Sequence, residues 1–507
     1  MAHRGSSGKT VLMELDARAG IALHRQVYEA MRARIIDGSL RAGVRIASTR
    51  ELSRDLRVSR STISLAFEQL RAEGYLECRR GTATRVCAVL PDRFHSVAPR
   101  SPVASGPEHG GVASTRAASV AAIPRSPDIT GSPPRAFRVA VPAVDTFPVD
   151  AWGRILSRRW RRTTARGLAY GGPFGHLPLR QTIAEYLASA RGVVTSAEQI
   201  MIVNGSQEGI DLACRVVLDP GQQAWLEDPG YFGARGALIA SGASIVPVPV
   251  DDQGLVVSHG TRVAPTARLA YVTPARQMPL GVTMSPARRL ELIAWARGAK
   301  SWILEDDYDS EFRYAGRPVA ALHGLDPDGS VIYIGSFSKV LFPGLRLGYV
   351  VIPSALVDAF GAVRHFLDYS SHYLEQAVLA DFMTEGHFER HIRRTRSVYF
   401  ERQQLLVNTV QRQLGPRMTI APSDAGLSLV GWLADGMDDA FAARMARRQM
   451  VDVWPVSAFS ARRLAPGLML GYAGLSEPEI RDGVARLSVA LRSTASHIPG
   501  GCACESS

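Results

Sequence analysis

Six short apolar runs, each broken off by polar residues, glycine or proline, constrain this chain more than any other feature: QIMIVNG, QAWLEDPGYFG, SIVPVPV, RLAYVTPA, SWILEDDYD and SVIYIGSFSK. They are too short for helices, and amphipathic segments such as SQEGIDLACRVVL and SPARRLELIAWARGA lie between them. Strand runs alternating with helices over residues 136–493 predict an α/β domain built on a mostly parallel sheet. In open sheets of this kind ligands gather at the carboxyl ends of the strands. Reading those ends gives Asn204-Gly205-Ser206-Gln207, then Tyr231, then Asp306-Asp307-Tyr308, and last Ser336-Phe337-Ser338-Lys339.

Lysine is scarce enough to be informative. It occurs only at Lys9, Lys300 and Lys339 in 507 residues. Lys9 sits in a polar leader, and Lys300 ends an amphipathic helix, so Lys339 alone stands where chemistry is expected. The strand ends together supply what pyridoxal 5'-phosphate needs. The Lys339 amine can form a Schiff base. A carboxylate at Asp306 or Asp307 can hold the pyridinium nitrogen protonated, and alternation along a strand does not choose between neighbours. The turn Gly205, Ser206, Gln207 opens a helix whose N–H groups can cradle the phosphate, with Ser336, Ser338 and Arg346 adding donors and charge. Tyr231 can stack on the ring and Tyr308 can reach its phenolic oxygen.

The rest of the chain divides into three zones. Residues 1–90 carry 16 Lys+Arg against 9 Asp+Glu, so +7 of the net +12 lies there, which points to a polyanionic partner. LHRQVYEAMRARIIDGSL reads as a helix with Leu23, Val27, Ala30, Met31 and Ile35 on one face. STRELSRDL follows, with a capping box from Ser48 to Glu51. SRSTISLAFEQLRAEG gives a third helix, with Ile63, Ala66, Phe67 and Leu70 inward, and YLECRRGTATRVCAV reads as a hairpin tipped by Gly81. Three helices and a wing make a winged helix-turn-helix. Ser59, Arg60, Ser61 and Thr62 open its third helix, where hydroxyls and N–H groups bind phosphate and an arginine reaches guanine. Arg80 and Gly81 in the wing allow close approach to a groove.

Residues 91–135, rich in Pro, Ser, Ala and Gly, hold no sustained apolar period and read as a flexible linker. Residues 494–507 read as a disordered tail. Its CAC and three other scattered cysteines suggest a reducing compartment and no metal site. No run of eighteen apolar residues and no signal core is present, so a cytoplasmic protein without a membrane span is expected.

IASTRELSRDLRVSRSTISLAFEQLRAEGYLECRRGTAT resembles the GntR family of bacterial regulators, which implies DNA contact at Arg50, Ser59, Arg60, Ser61, Thr62 and Gly81. ILEDDYDSEFRYAGRPVAALHGLD, GSFSKVLFPGLRLGY, NGSQEGIDLACRVVLDPG and EDPGY resemble its MocR subfamily, whose body is a fold-type I aminotransferase-like domain. That resemblance implies Lys339 as the Schiff-base lysine and Asp306 as the pyridinium partner. It also implies Tyr170, in YGGPFGHLPLR, as a residue reaching the phosphate of a second subunit, and so a homodimer. The chain departs from the aminotransferase pattern at Met278-Pro279-Leu280-Gly281, where an asparagine is usual. It departs again at Met469, aligned with the substrate-carboxylate arginine; Arg276, Arg462 and Arg463 are possible substitutes. The function expected is a regulator that senses an amine or amino-acid effector through pyridoxal 5'-phosphate on Lys339. The alternative is a working aminotransferase with an attached DNA-binding head.

Overall fold

The computed structural model describes residues 15–16, 20–78, 83–88, 113–124, 135–315, 320–369 and 372–495. The chain forms two compact units, Met1–Gly111 and Val112–Ser507. In the first, helices α1 (Leu23–Ile36), α2 (Thr49–Asp55) and α3 (Arg60–Ala72) precede an antiparallel pair, β1 (Leu76–Glu77) and β2 (Arg85–Val86). The capping box forms as expected: Ser48 accepts from the Glu51 N–H, and the Glu51 carboxylate accepts from the Ser48 N–H. Ile63, Ala66, Phe67 and Leu70 of α3 are buried against Val27, Met31 and Ile35 of α1. Leu23 and Ala30, also expected on that face, are only half-buried.

The second unit is built on an eight-stranded sheet. Its strands are β3 (Ile200–Val203), β4 (Gln223–Asp228), β5 (Ser244–Asp251), β6 (Gly254–Leu255), β7 (Leu269–Val272), β8 (Trp302–Asp307), β9 (Val331–Ser336) and β10 (Gly348–Val351). Their spatial order is β3-β10-β9-β8-β7-β4-β5-β6. The β5–β4–β7–β8–β9 ribbon is parallel throughout. These strands read as continuous apolar runs because helices cover both faces, so β7 and β9 are buried at every position. β6 runs antiparallel to β5 at one edge, and β10 runs back inside the sheet, antiparallel to both β9 and β3, with Gly348 opposite Ser336 and Val203. That reversal brings the residues just before β10 to the edge where β3, β8 and β9 end. A four-stranded antiparallel sheet, β11 (Met418–Ile420), β12 (Ser428–Leu433), β14 (Gly467–Gly471) and β13 (Trp454–Pro455), packs with the helices His387–Leu414, Asp439–Arg448 and Glu477–Ala495.

The expectation of an unstructured 91–135 segment needs one correction. Thr115–Ala121 is a helix, N-capped by Ser114, whose Oγ accepts from the Ala117 N–H at 3.2 Å. Val120 and Ile123 are its half-buried side chains. Arg116 donates to the Ala240 carbonyl, at the end of the helix Phe232–Ser241, at 3.4 Å. Two apolar side chains and one cap suffice for a short docked helix, although they give no period that sequence reading could register. The expected tail lies outside the described residues from position 496 onward.

Candidate cofactor site and DNA-binding surface

β3 stops at Val203, and Gly205, with φ +92°, turns the chain into the helix Ser206–Val217. A side chain there would be strained by that φ, and its Cβ would stand 3.4 Å from the Arg346 guanidinium. Arg346 reaches this turn because β10 runs backward; its Nη2 donates to the Asn204 carbonyl at 3.1 Å. The helix N-terminus and the arginine therefore face one small space. Gln207 donates to the Gly233 carbonyl at 2.9 Å and accepts from the Tyr231 hydroxyl at 3.3 Å, fixing the ring of Tyr231 beside this turn. Burial pushes the Tyr231 phenol up to about 12.

At the end of β9, Ser336 and Ser338 are both buried; the Ser338 N–H donates to the Ser336 Oγ at 3.3 Å, while the Ser338 Oγ has no partner. Lys339 follows, partly exposed, its Nζ donating to the Ala140 carbonyl at 3.1 Å. Desolvation holds this amine below its usual range, and the Arg346 charge adds to the effect against the pull of Asp306 and Asp309. Lys300, by contrast, caps an exposed helix end in the left-handed region, φ +53°.

The two carboxylates that sequence reading left open face different surroundings. Asp307 accepts from Tyr333 at 2.7 Å and lies 3.4 Å from Arg191, whose guanidinium also stands 3.8 Å from Glu311. Asp306 accepts from the Tyr271 hydroxyl at 2.7 Å and interacts with the Lys339 charge; its Oδ1 is buried without a partner. Burial drives Asp306 up to about 6, with the Tyr271 bond working the other way. Half-buried Tyr308 follows, its phenol raised by burial and by neighbouring Asp309. Tyr170 is 90% exposed, with its ring 5.5 Å from that of Tyr369, and among the described residues it joins none of the groups above.

Met469 is buried in β14, paired with Val430 and Trp454 in the small sheet. Of the substitutes, Arg462 binds Asp228 at 3.0 Å, and Arg463 is exposed. Arg276, the third of these substitutes, is buried.

Sequence reasoning missed several participants. Tyr271 carried a signal: a phenol inside a wholly buried strand needs a hydrogen-bond partner. Glu227, raised to about 7 by burial and held by Thr273 and Gln277, is the next-to-last residue of β4. Ala140, with φ +66°, carried none, since only the fold brings its carbonyl to Lys339.

On the head, Arg50, Ser59, Arg60 and Ser61 are exposed and Thr62 is half-exposed. Ser59 caps α3, its Oγ accepting from the Thr62 N–H at 3.1 Å and lying 2.8 Å from the Ser61 Oγ. Arg80 and Gly81 lie outside the described residues, on the segment joining β1 to β2. Among the described residues no cluster of three or more His, Cys, Asp or Glu could hold a metal, and no helix is long and apolar enough to cross a membrane.

Residues 139–487 match the family "Aminotransferase class I and II", and residues 23–86 match "Bacterial regulatory proteins, gntR family". The chain is 40% identical to the probable rhizopine catabolism regulatory protein MocR of Rhizobium meliloti, over 95% of this chain and 96% of that protein. It is 30% identical to the pyridoxine biosynthesis transcriptional regulator PdxR of Corynebacterium glutamicum, over 94% and 98%. Among solved structures it resembles Thermus thermophilus LysN, an alpha-aminoadipate aminotransferase complexed with N-(5'-phosphopyridoxyl)-L-leucine. That likeness has 28% identity and a TM-score of 0.66, covering 71% of this chain and 92% of that one.

Proposed function

Because this chain belongs to the MocR subfamily of GntR transcriptional regulators, a DNA-binding head joined to an aminotransferase-like body, we propose that the body holds pyridoxal 5'-phosphate and senses an amine effector through it. The observation that carries this reading is the meeting at one sheet edge of a buried acid with a free oxygen, a depressed lysine amine and an anion cradle. The residues present fit the cofactor. Asp306 Oδ1 and Ser338 Oγ are buried and lack partners, and Gly205 leaves room for an anion under Arg346. Lys339 would hold the aldehyde, Asp306 the ring nitrogen, Tyr308 the phenolic oxygen and Tyr231 the ring face. Ser206, Ser336, Ser338 and Arg346, with the N–H groups that open the helix after Gly205, would hold the phosphate. Bound there, the cofactor supplies an electrophilic carbon for amines and an electron-withdrawing ring.

The chain's own part is positional and electrostatic. Desolvation holds the Lys339 amine below its usual range, which favours the neutral form that Schiff-base formation requires. Tyr271 holds Asp306 against the pull of burial toward protonation, preserving the charge that a ring N–H requires. Asp307, tied to Tyr333 and Arg191, fixes the end of β8 from the other side. Tyr170, exposed on its loop, would complete the phosphate site of a second copy in a proposed homodimer. Effector exchange at Lys339 would alter the body, and with it the binding of the head to its operator.

Borohydride reduction with peptide mapping tests the covalent step: a pyridoxyl adduct is expected on Lys339, and its absence there removes the sensing account. Footprints on the operator should then differ with and without an amine that shifts the cofactor absorbance. More than one turnover per Lys339 with an amino donor and a keto acid would favour an enzyme instead.

A further inference from the structure

We propose that Leu65 of α3 sets part of the base preference of the DNA-binding head, by seating against the C5-methyl group of a thymine in the major groove of the operator. This inference rests on the reading of the first unit as a DNA-binding head and is independent of the cofactor.

α3 turns by about 100° per residue. Its four buried side chains, Ile63, Ala66, Phe67 and Leu70, therefore share one arc, packed on the rest of the head. The direction opposite that arc falls between Ser61 and Leu65. Leu65 is 52% exposed, more than any other large apolar side chain among the described residues of the head; the other two, Ile21 and Ile36, sit at the ends of α1. An isolated apolar side chain on a surface is ordinary, and this one is set apart by its neighbours. In the turn before it the hydroxyls are taken up with one another. Ser59 Oγ lies 2.8 Å from Ser61 Oγ and 2.7 Å from Thr62 Oγ1, and it accepts from the Thr62 N–H at 3.1 Å. This mutual bonding fixes the first turn and leaves Leu65 as the long apolar side chain on the outward face.

The flanks of the same surface are cationic. Arg50 and Arg54 on α2, Arg57 in the turn and Arg60 at the start of α3 are all exposed, and none is held in an ion pair among the described residues. Glu68, exposed one turn beyond Leu65, opposes phosphate. The charges thus favour a duplex that receives the N-terminal half of α3 in its major groove, with Leu65 toward the base edges. They disfavour a second copy seated on the same face, which would bring the four arginines against their own counterparts. Most groups on the base edges donate or accept hydrogen bonds, and a leucine covering one removes its water and returns no bond. The thymine methyl is the group that a leucine covers without that cost.

The test begins with a pool of random-sequence duplexes, from which the full chain selects its consensus. Each thymine of the selected duplex is then replaced singly by deoxyuridine, which lacks only the methyl, and affinities are compared by fluorescence anisotropy. At least one thymine should show a roughly fourfold loss with the wild-type chain, the contribution expected from covering one methyl. With Leu65→Ala that pair of duplexes should bind alike, whereas Leu65→Met, which keeps an apolar chain of similar reach, should retain the loss. Each readout is a ratio for one protein, so a general weakening by the substitution cancels. Should Leu65→Ala fail to fold, Leu65→Gln takes its place with the same expectation. No methyl-sensitive thymine in the wild type, or an equal loss at the same thymine in Leu65→Ala, overturns the proposal. A pool from which no sequence is enriched would sink the DNA-binding reading and this inference with it; enrichment without methyl sensitivity sinks this inference alone.

Discussion

Replacing Tyr271 by Phe removes one oxygen and leaves the ring in place. The lost hydroxyl donates to Asp306 at 2.7 Å, and the other oxygen of that carboxylate is already buried without a partner. A hydrogen bond to a charged group contributes about 1.5–3 kcal/mol and one to a neutral group about 0.5–1.5 kcal/mol. Asp306 is held up at about 6 in the folded chain, above its unfolded value. It is therefore mostly protonated in the wild-type fold well below pH 6 and ionised well above it. Tyr271→Phe should cost about 2 kcal/mol near pH 8 and about 1 kcal/mol near pH 5, with the difference growing in as pH rises through about 6. That extra kilocalorie corresponds to a roughly fivefold further rise in the proton affinity of Asp306. Urea denaturation of the cofactor-free chain, followed by tryptophan fluorescence, reads this directly. All seven tryptophans lie between Trp152 and Trp454, so the signal reports the body and not the head. A cost that is the same at both pH values, or larger at the acid one, would refute the view that Tyr271 acts on the charged form of Asp306.

Two further outcomes are expected. Gly426→Ala should destabilise the body by about 2–4 kcal/mol in the same assay, because a left-handed φ and the Arg276 guanidinium both oppose a side chain there; a change within about 0.5 kcal/mol would mean that Arg276 is not sheathed. Arg60→Ala should lower the slope of log affinity against log salt by about 1 on a random-sequence duplex, measured by fluorescence anisotropy, with no loss of head folding because the side chain is exposed. An unchanged slope would move the phosphate contact elsewhere.

Periodic features were the legible ones. The inward face of α3 at Ile63, Ala66, Phe67 and Leu70 follows from a 3.6-residue repeat, and the Ser48–Glu51 cap from two residues three apart. Lys339 stood out because lysine is nearly absent elsewhere. What depended on the third dimension was not legible. Asp306 and Asp307 are adjacent carboxylates in sequence, and only the packing of β7 against β8 gives Tyr271 to one while β9 and Arg191 take the other. Nothing in the sequence separates Arg276 from Arg462 and Arg463; it is buried because Gly281 and Gly426, 145 residues apart, close over it. The helix Thr115–Ala121 escaped notice because Val120 and Ile123 are too few to set up a repeat.

The reversed strand has a last implication. Lys339 and Arg346 sit on one connection between β9 and β10, whose ends are pinned by the pairing of Ser336 with Gly348. The two cations thus each lie within three residues of an end of this connection, and those ends are anchored by backbone pairing, which moves in whole-residue steps. Lengthening or shortening this connection by one residue would either shift one cation against the other or pass into the ladder as a bulge or slip, and a slip exchanges inward for outward side chains all along β10. Variation in this segment should accordingly be tolerated as substitution and not as insertion or deletion.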